Sequence, residues 1–312
     1  MSVVMPNYNH GHFLADALGA IGDQSVLPYE VIVVDDGSTD DSLVRLEELT
    51  ARMPWLRIIK HGTNRGVNAA CNTGLTAATG EFVLFSAMDD RLHPDMVARA
   101  SSAIAAFPRR PGVVFSDPAE MKADGTGASI VSLDLPTVPT YFSSDEFVEL
   151  LQKQFFFFSV TNVWFRVDQL QKFGGFPPEL RWHGDLFAAY AAAFQDGAIY
   201  APGAIAYFRV QPSSYSADGR RSAAQKEVLR AWHSKTKEIG GPRVRMAFVR
   251  AGVLPEFTLR SALILLKTDP GYLTPRLAFR FIWLIVWTAV ASYVHPAFRK
   301  RLRRIRSALR RR

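Results

Sequence analysis

Between Ser2 and Phe107, short apolar runs alternate with stretches of helical period, and that alternation limits the fold more than any other feature of the chain. The runs are Ser2 to Met5, Glu30 to Val34, Leu56 to Ile59 and Phe82 to Phe85. The stretches between and after them are Phe13 to Ile21, Leu43 to Met53, Val67 to Ala78 and Met96 to Phe107. The runs have strand length and the stretches have helix length. Repeated β-α order predicts an α/β fold, a parallel sheet with right-handed crossovers and helices on both faces.

Two of these runs stop just before adjacent aspartates: Asp35-Asp36 directly after Val34, and Asp89-Asp90 after Ser86-Ala87-Met88. Parallel strands would bring the four carboxylates to one sheet edge, where ligands of open α/β sheets bind. Carboxylate oxygens together with substrate phosphates suit hard divalent cations such as Mg²⁺ or Mn²⁺. Either pair alone is equally well read as a helix cap or a solvated turn. Ser38-Thr39-Asp40-Asp41 supplies cap residues after Gly37, and Pro94 suits a first helical turn. Two helix N-termini are therefore expected near any bound phosphate.

The chain has 312 residues, 48% of them hydrophobic, enough for one large core plus an appendage. Its net charge is +8, yet residues 299–312 carry nine Arg or Lys and no acid, and the rest holds 28 basic against 29 acidic residues. The basicity is thus assigned to a tail, and no nucleic-acid partner is expected. The single cysteine, Cys71, is read as a small buried hydrophobe on a helix. The amino terminus lacks the charged segment and long apolar stretch of a signal peptide.

Beyond Pro111 a strand is expected at Val113 to Ser116, then a loop or short hairpin to Pro139 and a helix around Asp145 to Lys153. Phe155 to Phe165 reads as core or, alternatively, as an aromatic wall for an acceptor. Gly174 to Pro178 is a tight turn, and Trp182-His183-Gly184-Asp185 opens a helix. Residues 220–268 read as helices of mixed charge. The uninterrupted apolar part of the next segment, Phe281 to Val294, has 14 residues, short of the roughly 20 a spanning helix needs. With the arginine-rich tail it suits an interfacial helix on anionic lipid, or a helix packed on the core followed by a basic tail.

Several of these segments, in this order, resemble the family 2 glycosyltransferases of GT-A fold. They are Val4-Met5-Pro6-Asn7-Tyr8-Asn9, Val33-Val34-Asp35-Asp36-Gly37-Ser38, Asn64-Arg65-Gly66, Asn72-Thr73-Gly74, Ser86 to Asp90 with Pro94, Gly174-Gly175-Phe176, and Asp185. The resemblance covers roughly Ser2 to Ser216. It implies a GT-A-type, Rossmann-like, mainly parallel sheet flanked by helices, with a helical C-terminal extension. It further implies a nucleotide-sugar-binding half at 1–108, an acceptor-binding and catalytic half at 109–217, a helical extension at 218–275, and an apolar helix with basic tail at 276–312.

By the same resemblance, Asp36 accepts a hydrogen bond from the nucleotide base, with Asp35, Pro6 and Tyr8 around it. Arg65 reaches the phosphates or is a solvated arginine. Asp89 and Asp90 hold a divalent cation, Mn²⁺ or Mg²⁺, and Asp185 is the general base of an inverting transfer. Trp182 and His183 are acceptor-site candidates, although His183 also reads as a partly buried histidine; His10 and His12 read as loop residues. The implied partners are a nucleotide-diphosphate sugar, UDP-sugar first, a saccharide or lipid-linked saccharide acceptor, and an anionic membrane surface met by the C-terminal tail. The implied location is cytoplasmic and peripheral, on the inner face of a bacterial membrane, in surface polysaccharide assembly. Ala87 replaces the first acid of the family's frequent Asp-x-Asp-Asp pattern, Cys71 stands where arginine is frequent, and Gln211 stands where histidine is frequent. A non-catalytic nucleotide-sugar-binding scaffold and a sugar-phosphate nucleotidyltransferase remain the competing readings.

Overall fold

The computed structural model describes residues 1–154, 158–211 and 214–283. Its strands are β1 (Ser2–Asn7), β2 (Glu30–Asp35), β3 (Leu56–Lys60), β4 (Phe82–Phe85), β5 (Arg91–Leu92), β6 (Val113–Phe115), β7 (Ala119–Met121), β8 (Ser129–Ile130), β9 (Thr140–Phe142), β10 (Val163–Arg166), β11 (Ala198–Tyr200) and β12 (Ala206–Arg209). Its helices are α1 (Leu14–Gly22), α2 (Ser42–Thr50), α3 (Val67–Ala77), α4 (Met96–Ala105), α5 (Ser144–Lys153), α6 (Val167–Lys172), α7 (Gly184–Asp196), α8 (Tyr215–Arg221), α9 (Gln225–Glu238), α10 (Gly241–Ala251) and α11 (Leu259–Thr268).

Eight strands form one sheet in the order β3-β2-β1-β4-β10-β6-β11-β9. The first four are parallel, as the alternation predicts; β10 runs antiparallel between β4 and β6, and β9 is antiparallel to β11. The sheet is therefore mixed and mainly parallel rather than wholly parallel. Short strands from beyond Pro111 complete it: β6 falls where a strand is expected, whereas β9, β10 and β11 carry too little periodicity to be read locally.

Successive side chains of a strand face opposite sides, so the sheet separates two cores. Val4, Ile32, Val34, Val83 and Phe85 pack toward α3, α5, α7 and α10, while Val3, Met5, Val31, Val33 and Leu84 pack toward α1, α2 and α4. Both faces are covered, which is why these strands read as continuous apolar runs. The expected hairpin before Pro139 is the antiparallel pair β7-β8, which joins β5 and β12 in a second, four-stranded sheet. Phe158 is core, against Phe115, Phe147 and Tyr190; residues 155–157 of the candidate aromatic wall lie outside the described residues.

Strand order turns at β1, with β2 on one side and β4 on the other. The crevice beyond the carboxyl ends of β1, β2 and β4 is the switch point at which such sheets bind ligands. The helices opening onto it differ from expectation. β5 intervenes between Asp90 and α4, and Pro94 lies before the cap residue Asp95, outside the helix. The loop before α2 folds back instead on the turn after β1: Asn9 Oδ1 accepts from Thr39 N at 2.7 Å, and Asp40 Oδ2 accepts from Gly11 N at 3.0 Å. Of the helices that follow the four parallel strands, α3 is the one whose first residues reach the crevice.

Charge is also distributed differently from the tail-only expectation. Residues 1–219 hold 15 Lys or Arg against 25 Asp or Glu, whereas residues 220–283 hold 13 against four. The near-neutral sum concealed an acidic sheet domain and a basic helical extension. Residues 275–283 are helical, and the rest of the expected apolar helix and the tail lie outside the described residues. Among the described residues, no helix is long and apolar enough to cross a membrane.

Candidate active site

The two acidic pairs do arrive on one edge, but within each pair the members differ. Asp35 ends β2 fully buried, with Oδ2 accepting from Asn7 Nδ2 at 2.8 Å and Oδ1 from Ser38 N at 3.0 Å. It locks the turn after β1 to the turn after β2. Asp36, one residue on, borders the cleft, and its carboxylate is heavily engaged. Oδ1 meets His61 Nδ1 at 2.6 Å and Arg65 N at 3.0 Å, and Oδ2 accepts from Gly66 N at 2.8 Å.

His61 is absent from the expected site, although a signal for it exists. β2 and β3 are parallel with Asp35 opposite Lys60, so the residue after each strand must be a neighbour of the other. A carboxylate only accepts, so His61 Nδ1 carries the proton toward Asp36, and Nε2 shares a hydrogen bond with Thr73 Oγ1 at 2.9 Å. Asp36 thereby fixes the loop 64–66 and the start of α3. Gly37, at φ 76°, has the backbone of Thr63 and Asn64 within 3.0 Å of where a Cβ would stand, so only glycine lets these two loops approach so closely.

A cavity of about 700 Å³ lies over this edge, bordered by Pro6, Tyr8, His10, Asp36, Gly66, Val67, Asp89, Gln211 and Tyr215 among others. The α3 N-terminus opens onto it: Gly66 is the cap, with no side chain capping the first turn, so unshared N–H groups and the positive end of the helix dipole face the region. Arg65 is exposed and does not line this cavity; its backbone N–H, rather than its guanidinium, serves Asp36.

The second acidic pair divides likewise. Asp89 borders the cavity, with Oδ2 accepting from Gln211 Nε2 at 2.7 Å. Asp90 turns away and ties the small sheet to the large one: Oδ2 accepts from Thr161 Oγ1 at 2.9 Å and Oδ1 from Arg209 N at 3.1 Å. Burial first, then the adjacent Asp89 charge, pushes Asp90 up to about 7, against the pull of its hydrogen bonds and of Arg209. Only Asp89 of this pair faces the cleft.

Asp185 opens α7 and lines a smaller cavity of about 180 Å³ with Asn68, Arg181, Trp182 and Tyr215. Pro6, Val67, Ala87, Tyr215 and Ser216 border both cavities, so the two adjoin. Burial raises Asp185 to about 6, partly offset by backbone N–H groups, of which Leu186 N donates to Oδ1 at 2.6 Å. Such a carboxyl is ionised at neutral pH and is still basic enough to take a proton. Cys71 lines the same cavity, buried on α3, where burial drives its thiol upward; it is an inert hydrophobe, as its sequence context suggests.

The wall carrying Asp185 is held by long-range contacts. Asn68 Nδ2 donates to Arg181 O at 2.9 Å and Pro177 O at 3.3 Å, and Asn72 binds Phe176 in both directions, at 2.9 and 2.8 Å. The Asn72-Thr73-Gly74 and Gly174-Gly175-Phe176 segments are thus two halves of one clasp. Trp182 stands edge-on to Tyr215 and donates Nε1 to Gln225 Oε1 at 2.7 Å; Gly219 is where α8 crosses its ring, and a Cβ there would collide with the indole. His183 lines neither cavity. It is buried against Trp232, shares a 3.2 Å contact with Gln225 Nε2, and is lowered to about 4 by burial and then by Arg220, so it is a neutral core histidine, not an acceptor-site group.

A divalent cation finds no cluster of three His, Cys, Asp or Glu among the described residues. One carboxylate plus substrate phosphates is a sufficient protein contribution for Mg²⁺, and Asp89 offers that much.

Residues 2–116 match the family model of glycosyl transferase family 2. An uncharacterized glycosyltransferase, YibD, of Escherichia coli K12 is 33% identical over 96 residues, 31% of this chain and 28% of that protein. The matched segment therefore spans less than a third of that relative. In fold, the chain is similar to Staphylococcus aureus TarS 1–349, solved in complex with UDP, with a TM-score of 0.60 and 22% identity over 80% of this chain and 69% of that one. It is also similar to the mannosyltransferase PcManGT of Pyrobaculum calidifontis, solved in complex with GDP-Man and Mn²⁺, with a TM-score of 0.59 and 21% identity over 96% and 81%.

Proposed function

The chain belongs to glycosyltransferase family 2 through its residues 2–116, and on that premise we propose that it transfers a sugar, with inversion, from a nucleotide-diphosphate donor to a hydroxyl of a saccharide or lipid-linked saccharide. One observation carries this reading. The cleft bordered by Asp36 and Asp89 adjoins the cavity of Asp185, so a donor in the first presents its anomeric carbon toward an acceptor in the second.

The nucleotide is assigned to the Asp36 side, between Pro6 and Tyr8, with its base meeting the edge that Asp36 organises. The diphosphate faces the α3 N-terminus, whose free N–H groups suit an anion, so backbone rather than the Arg65 guanidinium takes the phosphates. Asp89 would hold a divalent cation, Mn²⁺ or Mg²⁺, whose chemistry is to offset charge on the departing diphosphate. Asp185 accepts the proton of the acceptor hydroxyl as its oxygen attacks. Inversion needs this one base and no carboxylic acid for the leaving group. Trp182 and Tyr215 offer the acceptor's ring two aromatic edges.

The bound UDP of the TarS structure and the bound GDP-Man and Mn²⁺ of the PcManGT structure support a nucleotide-sugar donor and a cation, with UDP-sugars the first to test. The chondroitin synthase of E. coli, 34% identical over 97 residues, supports saccharide polymer assembly. The basic tail at 299–312 supports a peripheral position at the cytoplasmic face of a membrane.

The test is a thermal-shift screen of UDP- and GDP-sugars with and without Mn²⁺. A ligand at 100 times its Kd adds about 2.7 kcal/mol of stability. At least one donor should raise Tm in a Mn²⁺-dependent way, and Asp89→Asn should abolish that dependence. No shift with any donor would refute the reading, and pyrophosphate release from a nucleoside triphosphate would favour a nucleotidyltransferase.

A further inference from the structure

α11 is built like a surface helix on one side only. Ser261, Ala262, Ile264 and Leu265 face the core, while Leu259, Leu263 and Leu266, on one outward stripe at i, i+4 and i+7, are exposed by 59%, 50% and 53%. Single exposed leucines are ordinary on a protein surface; three on one helix face, where polar residues belong, are not. Exposed Arg260 and Lys267 flank the stripe. The helical residues 275–283 repeat the pattern, with Phe279 and Ile282 exposed beside exposed Arg276. The extension bearing both carries 13 Lys or Arg against four Asp or Glu, and its sequence continues into the apolar run to Val294 and nine basic residues between 299 and 312.

We propose that the outward face of α11, together with Phe279 and Ile282, is a docking surface for an anionic lipid bilayer, the leucines entering the acyl boundary and the flanking cations meeting the head groups. It deepens the membrane part of the reading above, on which it rests, by giving the chain a second contact in addition to its tail. Charge selects lipid over a second copy: pairing two such faces would bring two strongly basic extensions together, whereas an anionic surface complements both stripe and rim.

Docking through the extension also orients the site. Gln225, at the head of α9, takes the indole N–H of Trp182 and reaches His183 Nε2 and Glu256 Oε2 at 3.2 and 3.0 Å. α11 packs on α9, so the lipid-facing helix and the wall carrying Asp185 belong to one hydrogen-bonded body. A lipid-linked acceptor lies at the surface that such docking finds.

The experiment is flotation of the full chain with phosphatidylcholine vesicles, with and without phosphatidylglycerol. The native chain should float with the anionic vesicles, less so as salt rises. Leu259→Gln, Leu263→Gln and Leu266→Gln combined should lower partitioning at least about tenfold with no loss in Tm, since all three side chains are exposed. Arg260→Gln, Lys267→Gln and Arg276→Gln combined should flatten its dependence on phosphatidylglycerol. A folded leucine variant that floats like the native chain overturns the proposal. So does one that changes the sedimenting mass in vesicle-free buffer, which would make the stripe a self-association face. Donor-induced Tm shifts are read on the same samples without vesicles: a chain that floats but binds no nucleotide sugar refutes the catalytic reading and leaves the docking surface standing.

Discussion

The donor edge and the acceptor wall are built on opposite principles. At the edge, Asp35 and Asp36 spend their carboxylates on Asn7, Ser38, His61, Arg65 and Gly66, so acids that look like ligands in sequence are braces in structure. At the wall, Asp185 is half-buried in its cavity, where desolvation raises its carboxyl, and Arg181, four residues before it, sits at φ 46° and ψ −116°. The carboxylates of the edge are locally satisfied, whereas the carboxylate of the wall carries unfavourable free energy where a proton must move. Groups perturbed in this way mark reacting positions more often than satisfied ones do.

Asp185→Asn tests the contrast most severely. Turnover should fall by about 10² to 10⁴, the usual contribution of a positioned base, while donor-induced Tm shifts remain. The same variant should be more stable than the native chain, but only in one pH range. A carboxyl raised from 3.8 to about 6 on folding costs nothing below pH 3.8, costs progressively more up to about 6, and carries its full cost above that. The gain in stability should therefore be absent near pH 4 and reach at most about 3 kcal/mol at pH 8. Native turnover should decline as pH falls through about 6. Undiminished turnover in the variant would remove Asp185 from the base role, and an equal stability gain at both pH values would remove its desolvation.

Asp36→Ala probes the edge. It strands His61 Nδ1 and the N–H groups of Arg65 and Gly66 in a nearly dry setting, so a loss on the order of 4 kcal/mol is expected. Asp89→Ala removes a group facing the cleft and should cost within about 1 kcal/mol. Denaturant melts of the two variants decide whether brace and ligand have been told apart correctly; equal losses would erase the distinction.

The same contrast explains what could be read from sequence. The first four β-α units are local, their periodicity survives in single segments, and the strand ends place Asp36 and Asp89 on one edge without tertiary information. The start of α7 at Asp185 was legible for the same reason. The placement of β10 between β4 and β6 was not, because a four-residue strand reaching across about eighty positions has no local signature. Nor was the split of Asp89 from Asp90, which depends on Thr161, from the 3-10 turn before β10, and Arg209, from β12, arriving from far along the chain. The charge of the extension was legible, but summing over the whole body hid it.

The smallest effect isolates the strain itself. The backbone angles of Arg181 are those of the first central position of a type II′ turn, where glycine is at ease and any Cβ is not. Relief of such strain is worth about 1 to 3 kcal/mol, while the freedom glycine adds to the unfolded chain costs about 0.5 to 1. Arg181→Gly should thus gain roughly 1 kcal/mol, and Arg181→Ala, which keeps the Cβ and loses the same guanidinium, should gain nothing. The side chain contributes little to the balance, since its Cζ stands 6.0 Å from the Trp182 ring centroid at an exposed position. If both variants melt together, Arg181 is unstrained and the wall differs from the edge only in the burial of Asp185. If glycine alone gains, the loop from Pro177 to Gly184 is held against its own preference by Asn68, and Asn68→Ala should let it relax and raise the acceptor KM more than the donor KM.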